Sequence, residues 1–362
     1  MRVVHLFRGH HAYLAKLINS EVEDAEVHVV VSRRDVPLLK ALKPSVHVHY
    51  TEMPRVRSPL NAVRLPALWS LFREIKPDIL HLQSGVVWEY ALALVQRRCP
   101  VIMTVHDVRN HPSWGGRFWT PEFVNAYGMK SVDGLIVHGN ACRDLLLKLY
   151  SHRIDSSRVY SVDHGVIDCF GRGAARSEVP QGGGHVLFFG HIDKYKGLEY
   201  LMEAEPILRS LVPGVSIIVA GDTTHPDYYR NLAKGASSVT MRLGFQDDES
   251  VERLFRWADV VVLPYIEASQ SGVLQVAVAF GVPPVVSKVG GLPDVISDRV
   301  NGVLVEPRDP LALATAIQEL LTNRELRDRV IGNLQIDREG RFSWSRIAAR
   351  TLDIYREVIA RF

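Results

Sequence analysis

Lys196, Glu267 and the run Ser271-Gly272-Val273 are the residues whose types and spacing best suit a charged, hydroxyl-rich substrate. The richer segment reads Pro264-Tyr265-Ile266-Glu267-Ala268-Ser269-Gln270-Ser271-Gly272-Val273-Leu274-Gln275 and follows the apolar run Asp259 to Leu263. Its pattern predicts a helix from near Gly272 to near Phe280, with Gly281 as C-cap. The amides of Ser271, Gly272 and Val273 then point out of the helix N-terminus, an anion site that suits a diphosphate. Gly272 lets a phosphate approach the backbone closely. Glu267 is placed to accept hydrogen bonds from sugar hydroxyls, and Gln275, on the first helical turn, to bond a ribose. The bland alternative is an ordinary serine cap beside a solvated glutamate.

A second segment tips the balance. Gly190-His191-Ile192-Asp193-Lys194-Tyr195-Lys196-Gly197 has a loop glycine and then a lysine-glycine pair entering a helix. That layout holds phosphates, and Lys196 would neutralise charge on a leaving diphosphate. Elsewhere the chemistry thins. His106 follows the apolar run Val101 to Val105, with Asp107 beside it to orient the loop. Gly9, after the first apolar run, gives the backbone room to approach a phosphate, although Arg8-Gly9-His10-His11 is not a Gly-rich fingerprint. His47 and His49 share one face of a strand, but neither an acid nor a cysteine stands near them in sequence, so no metal is expected there. No Asp-x-Asp motif is present.

These residues need strands to present them. Short runs rich in Val, Ile and Leu recur at Val3 to Phe7, Val27 to Val31, Asp78 to Leu82, Val101 to Val105, Gly134 to His138 and Val159 to Val162. Amphipathic stretches such as Leu60 to Ile75 and Asn140 to Tyr150 separate them. Strand-helix alternation implies a mostly parallel sheet covered by helices. The pattern stops in a Gly-rich stretch. It restarts with His185 to Phe189, Val215 to Ala220, Val239 to Leu243, Asp259 to Leu263, Pro284 to Ser287 and Gly302 to Val305. The expected organisation is an N-terminal α/β domain over 1–168, a linker over 169–184, a second α/β domain over 185–342 and a closing helix over 343–362. That helix carries Trp344, Ile347, Ala348, Leu352 and Tyr355 on one face and needs a surface to cover. Open parallel sheets bind ligands beyond the carboxyl ends of their strands. Two α/β units in series therefore predict a site in a cleft between two facing sheets.

The bulk numbers fit. The 362 residues, 47% hydrophobic, are enough for two cores, and a net charge of +3 excludes a polybasic nucleic-acid protein. Cys99, Cys142 and Cys169 form neither a disulfide framework nor a zinc site. Neither a signal peptide nor an apolar span is evident, so a cytoplasmic location is expected.

The motifs now assemble. Gly190 to Gly197, Val219-Ala220-Gly221-Asp222, Leu243-Gly244-Phe245, Ala258 to Pro264, Glu267 to Gln275, Gly281-Val282-Pro283, Gly290-Gly291-Leu292-Pro293-Asp294 and Asn301-Gly302 follow in order. In this order and spacing the chain resembles retaining glycosyltransferase family 4. The first half agrees through Lys76 to His81, Thr104-Val105-His106-Asp107 and Val137-His138-Gly139, and Phe342-Ser343-Trp344 fits the start of the last helix. The resemblance implies the GT-B fold, two Rossmann-like domains facing each other across a cleft, the N-terminal one acceptor-binding and the C-terminal one nucleotide-sugar-binding, with the C-terminal helix crossing back to the N-terminal one. It implies a nucleotide-diphosphate sugar donor, UDP before GDP, and transfer with retention to a glycan or lipid-linked sugar in exopolysaccharide or cell-envelope glycan synthesis. His106 would contact the donor sugar near the reacting carbon and act with Glu267 and Lys196. Gly9, His191, Lys196, Glu267, Ser271, Gly272, Val273 and Gln275 would hold the donor. No covalent nucleophile is implied. The acceptor attacks from the same face while the leaving phosphate takes its proton, domain closure excludes water, and no metal or other cofactor is expected.

Two positions depart from the family. Gln275 stands where the second glutamate of its Glu-x7-Glu signature is expected, and His191 where it usually has arginine. They support one alternative, a non-catalytic nucleotide-sugar-binding partner of another transferase. The layout around Glu267 argues against a sugar-nucleotide epimerase, and the lack of GxGxxG after either first strand against a nicotinamide enzyme. Basic and apolar residues mix in Arg55-Val56-Arg57-Ser58-Pro59-Leu60 with Arg64, Trp69, Phe72 and Arg73, and again in Trp114 to Tyr127 with Arg117, Phe118, Trp119 and Phe123. Peripheral contact with anionic lipid at the inner face of the membrane is the functional reading. An ordinary half-buried helix is the competing one.

Overall fold

The computed structural model describes residues 1–6, 11–32, 36–51, 61–83, 98–108, 122–168 and 184–362. The chain forms two compact units. One is Met1–Gly165 together with Trp344–Phe362, and the other is Val166–Ser343. The expected linker lies outside the described residues except for Gly184.

Among the described residues the first unit holds β1 (Arg2–Leu6), β2 (Glu26–Val31), β3 (His47–Tyr50), β4 (Ile79–Leu82), β5 (Val101–Val105), β6 (Gly134–His138) and β7 (Val159–Val162). All pair in parallel, in the order β3-β2-β1-β4-β5-β6-β7. Near-continuous apolar runs make such strands because helices bury both faces. Thus β4 and β6 are buried at every position. The second unit repeats the plan with β8 (His185–Phe189), β9 (Ser216–Gly221), β10 (Val239–Leu243), β11 (Val260–Leu263), β12 (Pro284–Ser287) and β13 (Val303–Val305), ordered β10-β9-β8-β11-β12-β13. Where strand ends differ from the sequence reading, they differ by a single residue.

In both sheets the chain reverses its direction of growth beside the first strand, between β1 and β4 and between β8 and β11. Loops leaving the strands at such a switch point splay apart and open a crevice. In the second unit those loops are 190–197 and 264–271, the two segments singled out from sequence. In the first unit most of the corresponding loops, 7–10 and 84–97, lie outside the described residues.

The closing helix, Trp344–Arg361, belongs to the first unit and buries Trp344, Ile347, Ala348, Thr351, Leu352, Ile354, Tyr355 and Val358. Its seat is shaped for it. A Cβ on Gly165 would come within 2.6 Å of the Trp344 ring, and one on Gly134 within 3.2 Å of Val358. It is also held by polar groups. The Tyr355 hydroxyl donates to Glu21 Oε1 (3.0 Å), whose Oε2 accepts from His5 Nε2 (2.6 Å). Since that hydroxyl's proton is committed, His81 Nδ1 must be the donor in its 2.5 Å bond to Tyr355, and His81 Nε2 accepts from Thr104 (2.8 Å). Burial pushes His81 well below the usual imidazole range, which matches this neutral tautomer.

Candidate functional site

The crevice of the second unit is built on glycine. Gly190 has φ +112, and its amide donates to Ala220 O (3.1 Å). A Cβ on Gly221 would lie 1.8 Å from Gly190 O, and one on Gly197 2.0 Å from Pro264 O. The loop after β8 therefore presses directly on backbone at the ends of β9 and β11. A bond from Ile266 N to Tyr195 O (2.8 Å) stitches the two crevice loops together. Gly290 and Gly291 brace the outer loop in the same way. Their Cβ positions fall 1.5 Å from Ala268 O and 2.4 Å from Ser269 O.

The helix Gly272–Phe280 starts where the sequence places it. Ser271 caps it by accepting from Leu274 N (3.3 Å), and Gly281 ends it in the left-handed conformation at φ 64. Lys196 ends a short 3-10 turn whose first residue, Lys194, donates its amide to Asp193. The Lys196 side chain is 8% exposed, and its ammonium donates to the Tyr265 hydroxyl at 2.6 Å and stands 4.2 Å from the centre of that ring. Tyr265 Oη lies 3.3 Å from Ser271 Oγ, so a polar chain links the lysine to the helix cap. A Cβ on Gly190 would meet Val273 Cγ2 at 3.0 Å and Lys196 Nζ at 4.0 Å. Gly190, Lys196 and Val273 thus border one small space. Burial pushes Lys196 below the usual lysine range, and the group that favours its charge is Tyr195 rather than a carboxylate. A buried cation with neutral partners beside a helix N-terminus is a preformed place for an anion.

Around this centre, His191 and Glu267 are exposed at the rim. Gln275 is 2% exposed, and its Oε1 is buried without a hydrogen-bond partner, as is Oε1 of Gln270. Tyr265, the hub of the arrangement, was missed in the sequence. Its only signal is its place two residues past a buried strand.

The candidates of the first unit form a separate group. His106 is buried, its Nδ1 3.3 Å from His138 Nε2. The rings of His106, His138, His164 and Trp344 surround Tyr13 at 5.0 to 5.2 Å. Burial raises the Asp107 carboxyl to about 6. Gly9 lies outside the described residues, as do Arg55, Arg57, Trp114, Arg117, Phe118, Trp119 and the side chain of Phe123. On the helix Asn61–Ile75, Trp69 is 41% exposed with Arg73 over its ring, whereas Phe72 is core. Cys99 and Cys142 are buried, and Cys169 lies outside the described residues. Parallel pairing sets His28 directly opposite His47 and gathers Glu26, His28, His47 and His49, a group the sequence did not reveal.

Residues 9–168 match the model of the family described as Glycosyltransferase Family 4, and residues 183–323 that of Glycosyl transferases group 1. A D-inositol 3-phosphate glycosyltransferase of Saccharomonospora viridis is 33% identical over 312 residues, 79% of this chain and 71% of that one. The chain belongs to glycosyltransferase family 4. An uncharacterized glycosyltransferase of Methanocaldococcus jannaschii is 32% identical over 173 residues, 47% of this chain. The match spans only 44% of that protein's length. The structure of HepE from Anabaena in complex with UDP and glucose superposes with a TM-score of 0.71 at 16% identity, covering 99% of this chain and 100% of that one. The fold of this family 4 glycosyltransferase is accordingly the two-domain GT-B fold. Among its described residues no helix is long and apolar enough to cross a membrane.

Proposed function

We propose that this glycosyltransferase moves a sugar, with retention of anomeric configuration, from a nucleoside-diphosphate sugar to a glycan or lipid-linked sugar acceptor. The observation that carries this reading is the buried Lys196 ammonium, bonded to Tyr265 beside the N-terminus of the helix Gly272–Phe280. As the bond from the anomeric carbon to the diphosphate oxygen breaks, negative charge gathers on the leaving group. Lys196, His191 and the amides of Gly272 and Val273 meet that charge, and such contacts count most in the transition state. The acceptor oxygen bonds the anomeric carbon on the same face, and its proton passes to the leaving diphosphate. Glu267 holds sugar hydroxyls, Gln275 a ribose hydroxyl, Gly9 gives a phosphate room, and His106 contacts the sugar near the reacting carbon. Positive charge comes from lysine and amides, so transfer proceeds without a divalent metal.

UDP is favoured over GDP as the donor base, and a structural neighbour's complex with UDP and glucose is in keeping with that. The work assigned to it is exopolysaccharide or envelope glycan assembly in the cytoplasm. Exposed Val63 and Trp69 near Arg64 and Arg73 provide for peripheral contact with anionic lipid. Release of nucleoside diphosphate from a panel of nucleotide sugars, with and without EDTA, is the test. We expect release from a UDP-sugar, unchanged in EDTA and lost in Lys196→Ala and Glu267→Ala. Tight donor binding with no turnover on any acceptor would favour the non-catalytic partner instead. Liposome binding unchanged by charge reversal at Arg55, Arg57 and Arg64 would remove the lipid contact.

A further inference from the structure

We propose that the outer edge of the N-terminal sheet binds a borderline divalent transition ion, zinc foremost, through Glu26, His28 and His47, with His49 supporting His28. The site is separate from the crevice in the second unit and independent of the transfer reaction.

The four side chains come together by pairing. Residues two apart on a strand share a face, so Glu26 lines up with His28 on β2 and His47 with His49 on β3. The register places His28 opposite His47 and Val30 opposite His49. Ligand atoms of Glu26, His28 and His47 all lie within 4.8 Å of one another. Around a tetrahedral zinc with bonds of about 2.0–2.2 Å, neighbouring ligand atoms stand roughly 3.4 Å apart. His28 is 7% exposed and fixed, while Glu26 and His47 are exposed and have the freedom to close the difference.

The surroundings resemble those of a built metal site. A metal-binding imidazole usually has its other nitrogen held by an outer partner, and a ligating carboxylate is itself hydrogen-bonded. His28 Nδ1 is 2.8 Å from His49 Nε2, and its Nε2 is 2.9 Å from Glu26 Oε1. Glu26 Oε1 also accepts from Arg2 Nε at 2.9 Å, and Arg2 is anchored to Ile75 O at 2.6 Å. A carboxylate only accepts, so neutral His28 donates from Nε2 to Glu26, and its Nδ1 accepts from His49. When the ion enters between His28 Nε2 and Glu26, each of the two rings carries its proton on Nδ1 instead. His28 then donates to His49, and no net proton leaves the pair. Imidazole-rich coordination selects zinc, nickel, cobalt or copper over magnesium and calcium, which need oxygen ligands. Because β3 pairs only with β2 among the described residues, such an ion would clamp an edge strand in place.

Calorimetric titration of the full, EDTA-stripped chain with Zn²⁺ and Co²⁺ tests the site, alongside thermal unfolding. A single equivalent should bind and raise the melting temperature. His47→Ala and Glu26→Gln alter exposed side chains and should weaken binding about tenfold or more, and His49→Gln by about 10- to 100-fold. His152→Ala, at an exposed histidine on another segment, should bind like the wild type. Binding weaker than millimolar, or equal in wild type, His47→Ala and Glu26→Gln, would overturn the proposal. The donor-release assay in EDTA reports separately on the transfer reaction.

Discussion

The two units share one sheet plan but spend their polar residues in opposite ways. In the second unit polar groups gather beyond the strand ends, where glycine backbones touch and Lys196 is held by neutral partners. In the first unit Glu21, His5, His81 and Tyr355, all fully buried, bond one another inside the sheet and beneath the closing helix. One set leaves its capacity for a ligand. The other is satisfied within the protein and fixes a distant helix in one register. The lesson is that burial alone does not mark a site; what matters is whether the buried groups have already found their partners.

Removing one member of each set should break the comparison most sharply. Glu21→Ala strands two buried donors, on His5 and Tyr355, and should cost about 3–5 kcal/mol in denaturant unfolding, with the closing helix losing hydrogen-exchange protection first. Lys196→Ala should reverse the pattern. Turnover should fall roughly 100-fold or more while the unfolding midpoint holds or rises, because a desolvated cation has gone. A midpoint that drops as far as in Glu21→Ala would mean that Lys196 is structural.

Asp107 sharpens the contrast through pH. Burial raises its carboxyl to about 6 from 3.8. An acid whose pKa rises on folding contributes stability that is complete below about pH 4 and is lost as pH climbs through about 6. Asp107→Asn should therefore flatten a decline of about 2–3 kcal/mol across that window, read from unfolding midpoints at several pH values. Tyr355→Phe should have the smallest effect, about 1–3 kcal/mol, since it removes only the hydroxyl that bridges Glu21 and His81.

Much of the frame was legible because it rests on local patterns. Continuous Val, Ile and Leu runs give buried strands, and Ser271 with Gly281 brackets the helix between them. The apolar stripe of the last helix is the face that is buried. What escaped depends on long-range pairing. Glu21 sits at the end of an ordinary helix, 16 residues from His5 and 334 from Tyr355. His28 reads as one polar residue in an apolar strand until its register against β3 is known. Tyr265 looks like core, and it is core, yet its hydroxyl is what holds Lys196. The burial of Lys196 itself was hidden because lysine is usually solvated.

The closing helix also sets an order of assembly. The unit Val166–Ser343 is continuous in the chain, whereas the other needs Met1–Gly165 and then Trp344–Phe362. During synthesis the ribosome delivers the second unit whole before it releases the segment that finishes the first. At about 5–20 residues per second, the nascent first unit waits at least several seconds with the seat for Trp344 and Tyr355 unfilled. A fragment cut at the apparent boundary after Gly165 would be arrested in that state, with a buried glutamate and histidine exposed and a sticky groove open to chaperones.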